Sequence, residues 1–179
     1  MLILLDRDGV INHDRDDFVK SPDEFQLIEG SAEAIAKLHR AGHKIVVVSN
    51  QSGVGRGLFD ETMLQRIEQK MVSEIRASGG HFDAMIYCFD PPWAATDRRK
   101  PEPGMLKEAL TKFPTPLNDC ILIGDSLRDL QAAAKMQIRR ILLRSGKGER
   151  TQSDGLPKDV LPVTVCENLA EAVDKLLAP

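Results

Sequence analysis

Two carboxylates separated by a single residue, Asp6 and Asp8, follow directly on the apolar run Leu2-Ile3-Leu4-Leu5. Side chains two residues apart at a strand end point to the same side, so this pair opens onto one space. A third acid, Asp125, follows Gly124 at the end of another apolar run, Ile121-Leu122-Ile123. Three carboxylates brought together are costly unless neutralised, and a hard divalent cation bound through oxygens is the natural neutraliser. Magnesium is the expected ion. Ser49 and Asn50 end a third run, Ile45-Val46-Val47-Val48, and bring hydrogen-bonding groups. Lys100, in the cluster Arg98-Arg99-Lys100, brings a compact positive charge of the kind that holds phosphate. A nucleophile, a metal and donors around the equatorial oxygens are the parts that phosphoryl transfer requires.

The elements that must position these residues are legible in the same sequence. The four apolar residues before Asp6 predict a strand buried on both faces. Ser31 is expected to cap a helix with Ala32, Ile35 and Leu38 inside, stopped by Gly42. The β-branched run 45–48 predicts a second strand, followed by the polar loop 49–57, whose glycines are expected to permit unusual backbone angles. Asp60 is expected to cap a long helix carrying Met63, Leu64, Ile67, Met71 and Ile75, closed by Gly79-Gly80. A third strand over 84–88 precedes a proline-rich loop, and Pro103 suits the first turn of the next helix. After the strand at 121–123 come a helix through Leu127, Leu130 and Ala134, a strand at 141–143, the glycine-containing segment 144–148, and a final strand and helix between Val163 and Leu177. Alternation of apolar strands with helices predicts an α/β fold: a three-layer, Rossmann-like, mainly parallel sheet with helices on both faces. Ligands of such sheets sit beyond the carboxyl ends of the strands, where Asp6, Asp8, Ser49, Asn50, the 98–100 cluster and Asp125 all fall.

Composition narrows the field. With 179 residues, 42% of them hydrophobic, one compact domain over 1–179 is expected. Acidic and basic residues are interspersed and the net charge is −3, which argues against a nucleic-acid or membrane-surface partner and for a small molecule. Three widely spaced cysteines, Cys88, Cys120 and Cys166, read as free thiols of a reducing compartment. The apolar start is too short for a signal peptide or a membrane span, so a cytoplasmic protein is expected, and a monomer.

Four segments carry a resemblance. Asp6-Arg7-Asp8-Gly9-Val10-Ile11-Asn12, Ser49-Asn50-Gln51-Ser52-Gly53, Arg99-Lys100-Pro101 and Gly124-Asp125-Ser126-Leu127-Arg128-Asp129 resemble, in order, the motifs of the haloacid dehalogenase superfamily. The wider matches over residues 2 to about 148 are similar to its group of histidinol and heptose bisphosphate phosphatases. That resemblance implies Asp6 as nucleophile and Asp8 as general acid, then base. It implies magnesium on Asp6, Asp125 and the Asp8 carbonyl, with Asp129 outside the first set of ligands. Ser49 and Lys100 are implied as stabilising the transferring group, while Arg99, Asn50, Gln51, Ser52 and the loop at Asp14 are implied as substrate contacts. The implied substrate is a phosphorylated sugar, heptose 1,7-bisphosphate losing its 7-phosphate, with histidinol phosphate or another small sugar phosphate as the alternative. No insertion is long enough for a large cap domain. Such phosphatases commonly carry a zinc loop before Arg-Lys-Pro, yet here only Cys88 occupies a ligand position, so no structural zinc is expected and the prolines and Trp93 are expected to order residues 88–98.

Each motif also has a plainer reading. Asp125 alone reads equally well as a helix cap, Ser49-Asn50 as turn residues and Arg98 as a solvated charge. His13, His39, His43 and His81 lack ligand spacing, and Cys120 reads as core filler. A phospho-accepting receiver domain and a silent binding module are the alternatives of another class. The receiver requires its accepting aspartate at the end of the third strand, where Cys88-Phe89-Asp90 and two prolines stand instead.

Overall fold

The computed structural model describes residues 1–178. Strand β1 (Leu2–Leu5) leads through a long loop to α1 (Ser31–Arg40), then β2 (Lys44–Asn50), a single helical turn α2 (Ser52–Gly55) and the long α3 (Glu61–Ala77). Strand β3 (Ala84–Cys88), α4 (Gly104–Lys112), β4 (Cys120–Gly124), α5 (Leu127–Lys135) and β5 (Arg139–Leu143) follow. The short α6 (Gly148–Ser153), β6 (Thr164–Cys166) and α7 (Leu169–Leu177) complete the order. All six strands are parallel in the order β3-β2-β1-β4-β5-β6.

The unbroken apolar strands are explained by burial on two faces. Alternate residues of a strand point to opposite sides. Ile3, Leu5, Ile45, Val47, Ile121 and Ile123 accordingly pack with α1, α3 and α7 on one face. Leu2, Leu4, Val46, Val48 and Leu122 pack with α4 and α5 on the other. Every residue of β1 and β4 is buried, and each such Leu or Ile contributes about 1.5–3 kcal/mol by leaving water. The three cysteines are buried and free.

Because β2 and β4 flank β1, the chain leaving β1 goes to α1 on one face and the chain leaving β4 to α5 on the other. A crevice therefore opens at the carboxyl ends of β1 and β4.

Four expectations need correction. Ser31 is the first helical residue and does not cap α1; buried, its hydroxyl donates to the carbonyls of Ile11 and Ile28, each at 2.8 Å. Gly30, in left-handed backbone (φ 80°), takes the cap position. Residues 52–55 form α2 where a flexible loop was expected, and Gly55 is there for space: a Cβ would stand 2.0 Å from the Phe89 carbonyl oxygen. Pro103 sits one residue before α4, outside its first turn. Trp93 is 72% exposed and cannot order its loop by burial. That loop is tied by hydrogen bonds instead: Thr96 N–H and hydroxyl donate to Asp90, Arg99 donates to the Asp90 carbonyl, and Arg98 donates to the Tyr87 carbonyl and pairs with Glu108. Asp60 does accept from Met63 N–H at the start of α3, at 2.8 Å.

Candidate active site

Asp6 continues the ladder one residue past β1, its N–H donating to the Ile123 carbonyl of β4 at 3.0 Å. The chain then turns sharply, because the Arg7 carbonyl accepts from the N–H groups of Val10, Ile11 and Asn12. This turn brings Asp8 back over the strand end. Its carboxylate is held from behind by Arg7, with Nη2 at 2.8 and 2.9 Å and Nε at 3.2 Å, by Asn12 Nδ2 at 2.9 Å and by Gln51 Nε2 at 2.7 Å. Burial opposes the charge on Asp8, but the Arg7 guanidinium and these donors outweigh it and hold the carboxyl below its ordinary range.

Asp125 leaves β4 into the same crevice and is 3% exposed. Two glycines in left-handed backbone press on it. A Cβ on Gly9 (φ 81°) would lie 2.1 Å from Asp125 Oδ2, and one on Gly146 (φ 59°) 2.2 Å from the same atom. That oxygen accepts from the Lys147 N–H at 2.7 Å. Acceptor atoms of Asp6, Asp125 and Asp129 lie within 4.8 Å of one another.

Lys100 reaches this cluster from the loop before α4 and is 1% exposed. Its backbone is clamped to the end of β2: Asn50 Nδ2 donates to the Lys100 carbonyl at 3.0 Å, and Lys100 N–H donates to Asn50 Oδ1 at 3.1 Å. Its Nζ donates to the Val48 carbonyl at 2.8 Å and lies 3.2 Å from Asp6 Oδ2 and 2.6 Å from Asp129 Oδ1. Asp129 Oδ1 has no aligned donor, so that last contact is an ion pair alone. Oδ2 of Asp129 accepts from the N–H and hydroxyl of Ser126, starting α5 with a capping box. Both oxygens of Asp129 are thus engaged by neighbouring side chains and backbone.

One cation among three acids, two of them buried and Asp6 partly so, does not balance them. Burial, then Asp129 and Asp6, push Asp125 up to about 8. Burial, opposed by Lys100, raises Asp6 to about 6. Buried carboxylates that resist ionisation in this way fit a divalent cation, which supplies the missing positive charge. Asp6, Asp125 and Asp129 are the carboxylates that lie close enough together to hold it.

Around the acids lies a cavity of about 190 Å³, lined by Asp6, Asp8, Asp14, Ser49, Asn50, Ser52, Arg99, Lys100 and Asp125 among others. The exception among the expected substrate contacts is Gln51. It is 2% exposed and faces inward, donating to Asp8 and, at 3.1 Å, to Ser49 Oγ, because its side chain turns back under the strand end. Asp14 lies at the cavity edge, paired with Lys147 Nζ at 2.7 Å. Sequence reasoning overlooked Arg7, and also Arg15, Arg56, Arg128 and Lys147, which add four cations to the cavity wall. Arg56 sits between two aromatic rings from different loops, 5.4 Å from the Phe18 centroid and 5.1 Å from that of Trp93. The only available signals were its place in the glycine loop and that of Lys147 in segment 144–148.

Comparison with known proteins identifies the family. The family model described as HAD-hydrolase-like matches residues 97–172. The D-glycero-beta-D-manno-heptose-1,7-bisphosphate 7-phosphatase of Bordetella bronchiseptica is 44% identical over 98% of this chain and 97% of its own. Its counterpart from Pseudomonas aeruginosa is 38% identical over 98% and 97%. The crystal structure of D,D-heptose 1,7-bisphosphate phosphatase from B. bronchiseptica, complexed with magnesium and phosphate, superposes with a TM-score of 0.93 over 98% of this chain and 97% of that one, at 44% identity. The enzyme from Burkholderia thailandensis gives 0.77 at 37% identity, covering 99% of both chains. At such identity over nearly the whole length of each partner, the chain belongs to the haloacid dehalogenase-like hydrolases, in the family of the D-glycero-beta-D-manno-heptose-1,7-bisphosphate 7-phosphatases.

Proposed function

We propose that this chain removes the 7-phosphate of D-glycero-D-manno-heptose 1,7-bisphosphate by way of a phosphoryl group carried on Asp6. The observation that carries the reading is the meeting of Asp6, Asp125 and Lys100 at the carboxyl ends of β1, β4 and the loop before α4. It is supported by the names of the full-length relatives.

Asp6 has one oxygen fixed by the Arg7 N–H at 2.7 Å and the other beside Lys100. A carboxylate held in this way presents a defined lone pair to phosphorus. Magnesium, when bound by Asp6, Asp125 and the Asp8 carbonyl, offsets the carboxylate charge and polarises the phosphoryl oxygens. Lys100 and Ser49 stabilise the charge spread over the equatorial oxygens. Asp8 enters this step carrying the proton that it took from water in the previous turnover, and gives it to the leaving sugar oxygen as the bond to phosphorus breaks. In the second step Asp8 takes a proton from the water that displaces phosphate from Asp6. Asn50 sets the position of Lys100 while lining the cavity. Ser52 and Arg99 face the part of the substrate that keeps its phosphate, and Asp14 orients Lys147 above it.

The substrate is small and the site needs no nucleic acid or membrane. Among the described residues no helix is long and apolar enough to cross a membrane. A cytoplasmic monomer is the working form. No structural zinc is required, since hydrogen bonds from Thr96, Arg98 and Arg99 already tie residues 88–98.

The test compares kcat/KM for heptose 1,7-bisphosphate, histidinol phosphate and a simple sugar monophosphate. The bisphosphate is expected to lead by at least about tenfold, the value of one additional ion contact of about 1.5 kcal/mol. A higher value for histidinol phosphate would reject the assignment of substrate.

A further inference from the structure

Asp129, 0% exposed, is already part of the ion cluster; the other charged side chain at the site with no path to solvent is that of Arg7. It is 0% exposed and absent from the cavity wall, so it cannot touch a substrate. Every hydrogen bond that its side chain makes goes to one neighbour: Nε and Nη2 both reach Asp8 Oδ1, at 3.2 and 2.8 Å, and Nη2 also reaches Oδ2 at 2.9 Å. Nη1 is buried and, among the described residues, has no hydrogen-bond partner. An apolar side chain would fill this space at lower cost, because a buried guanidinium has to be taken out of water and here is left incompletely satisfied. What an apolar side chain could not do is hold a carboxylate in a fixed plane.

We infer that Arg7 is a positioning residue, which braces the Asp8 carboxylate from behind so that the same oxygen faces the substrate in both chemical steps. The base of the brace is itself rigid, since the Arg7 carbonyl accepts three backbone N–H groups and its own N–H donates to Asp6. Asn12 and Gln51 add one donor to each Asp8 oxygen, which stops the carboxylate from rotating about its last bond. The side chain of Asp8 stays 21% exposed, and that edge lines the cavity. A planar fork suits this task, whereas a lysine ammonium offers a point charge without a plane.

The inference rests on the acid and base role given to Asp8 above. Its test is a double-mutant cycle on the intact chain with magnesium, using Arg7→Met, Arg7→Lys and Asp8→Asn, each Arg7 variant alone and combined with Asp8→Asn. kcat and KM are measured for a sugar phosphate, leaving-group release in the pre-steady state for 4-nitrophenyl phosphate, and melting temperature for every variant. Arg7→Met is expected to lower kcat on the sugar phosphate about ten- to a hundredfold with KM within about twofold, as befits a damaged proton transfer. The first step with nitrophenyl phosphate, whose leaving group needs no proton, is expected to slow by less than about threefold. Arg7→Lys should restore only part of kcat. On top of Asp8→Asn, neither substitution should cost anything more.

Equal losses on both esters, or losses that multiply with that of Asp8→Asn, would overturn the inference, because a merely structural arginine acts that way. Should Arg7→Met fail to fold, the same comparison is made with Arg7→Lys and Gln51→Leu, which loosen the same carboxylate. A wild-type chain inert toward both esters would instead overturn the phosphatase reading, a result recognisably different from an active wild type with unaffected variants.

Discussion

Lys100 and Asp129 form an ion pair at 2.6 Å in which the side chains are 2% and 0% exposed, and the same ammonium lies 3.2 Å from Asp6. Burial disfavours the charged lysine, yet Asp129 and Asp6 more than compensate and raise its pKa above the ordinary value. Lys100→Met removes the only cation inside the cluster and leaves the carboxylates facing one another. A loss of about 3–5 kcal/mol is expected from stranding buried charge, with turnover reduced as well. Denaturant unfolding with and without magnesium measures it, and the deficit should shrink with the ion present. Unchanged stability would mean that the pair is not formed.

Asp6→Asn keeps the shape of the nucleophile but not its charge. Turnover should fall by at least about a thousandfold, as when a covalent nucleophile is removed, and no phosphorylated protein should be trapped by acid quench and mass measurement. Asp8→Asn should cost about a hundredfold or more through both steps. Circular dichroism and melting should report a folded chain for both; near-normal activity of Asp6→Asn would move the nucleophile elsewhere.

The raised acids link stability to pH. In the metal-free chain Asp6 titrates near 6 and Asp125 near 8, against 3.8 for an unperturbed aspartate. Between those values the folded state holds more protons than the unfolded one. Their stabilising contribution is therefore complete below about 3.8 and is lost as pH rises through about 6 and then about 8. Magnesium requires the ionised forms, so its binding releases protons and tightens as pH rises over this window. Melting in chelator should weaken from pH 6 to pH 8 while the magnesium-induced rise in Tm grows. A rise independent of pH would contradict the assignment of these two acids to the ion.

Gly146→Ala places a methyl group against Asp125 Oδ2 and on a backbone with φ 59°. Left-handed backbone alone costs a residue with a Cβ about 1–2 kcal/mol, and the clash adds to it. Destabilisation of about 2–4 kcal/mol is expected from both, together with magnesium affinity reduced about tenfold because the displaced carboxylate is a ligand candidate. Calorimetric titration of magnesium and a melt of the same sample distinguish the two effects. Gly42→Ala, with nothing within 4 Å of its Cβ, is the control for backbone strain alone.

The sheet and the acids were legible because both depend on short-range pattern. Unbroken apolar runs of four or five residues mark buried parallel strands, and a polar residue just beyond such a run stands at the ligand edge. Asp6, Asp8, Ser49 and Asp125 stand out in this way and Lys100 as part of a charge cluster in the loop after β3, and all five line one cavity. Arg7 was missed since an arginine between two acids reads as a local counter-charge, and nothing in the sequence says that it is buried. Gln51 was misread for a related reason: a polar residue at a strand end can face the cavity or turn beneath it, and here the donors needed by Asp8 and Ser49 decide. The clamp of Asn50 on Lys100 spans 50 residues and the Asp14–Lys147 pair far more. Pairings at that range are set by tertiary packing and leave no periodic trace.

Arg56, wedged between Phe18 and Trp93, joins three loops at the cavity rim. Each cation–π contact at an exposed position is worth about 0.5–1 kcal/mol, close to thermal energy, so the doorway can loosen and reseal at little expense while the sheet beneath stays rigid. Trp93 is also the sole indole of the chain. Its emission and its quenching by iodide therefore report on this one contact, with no attached dye.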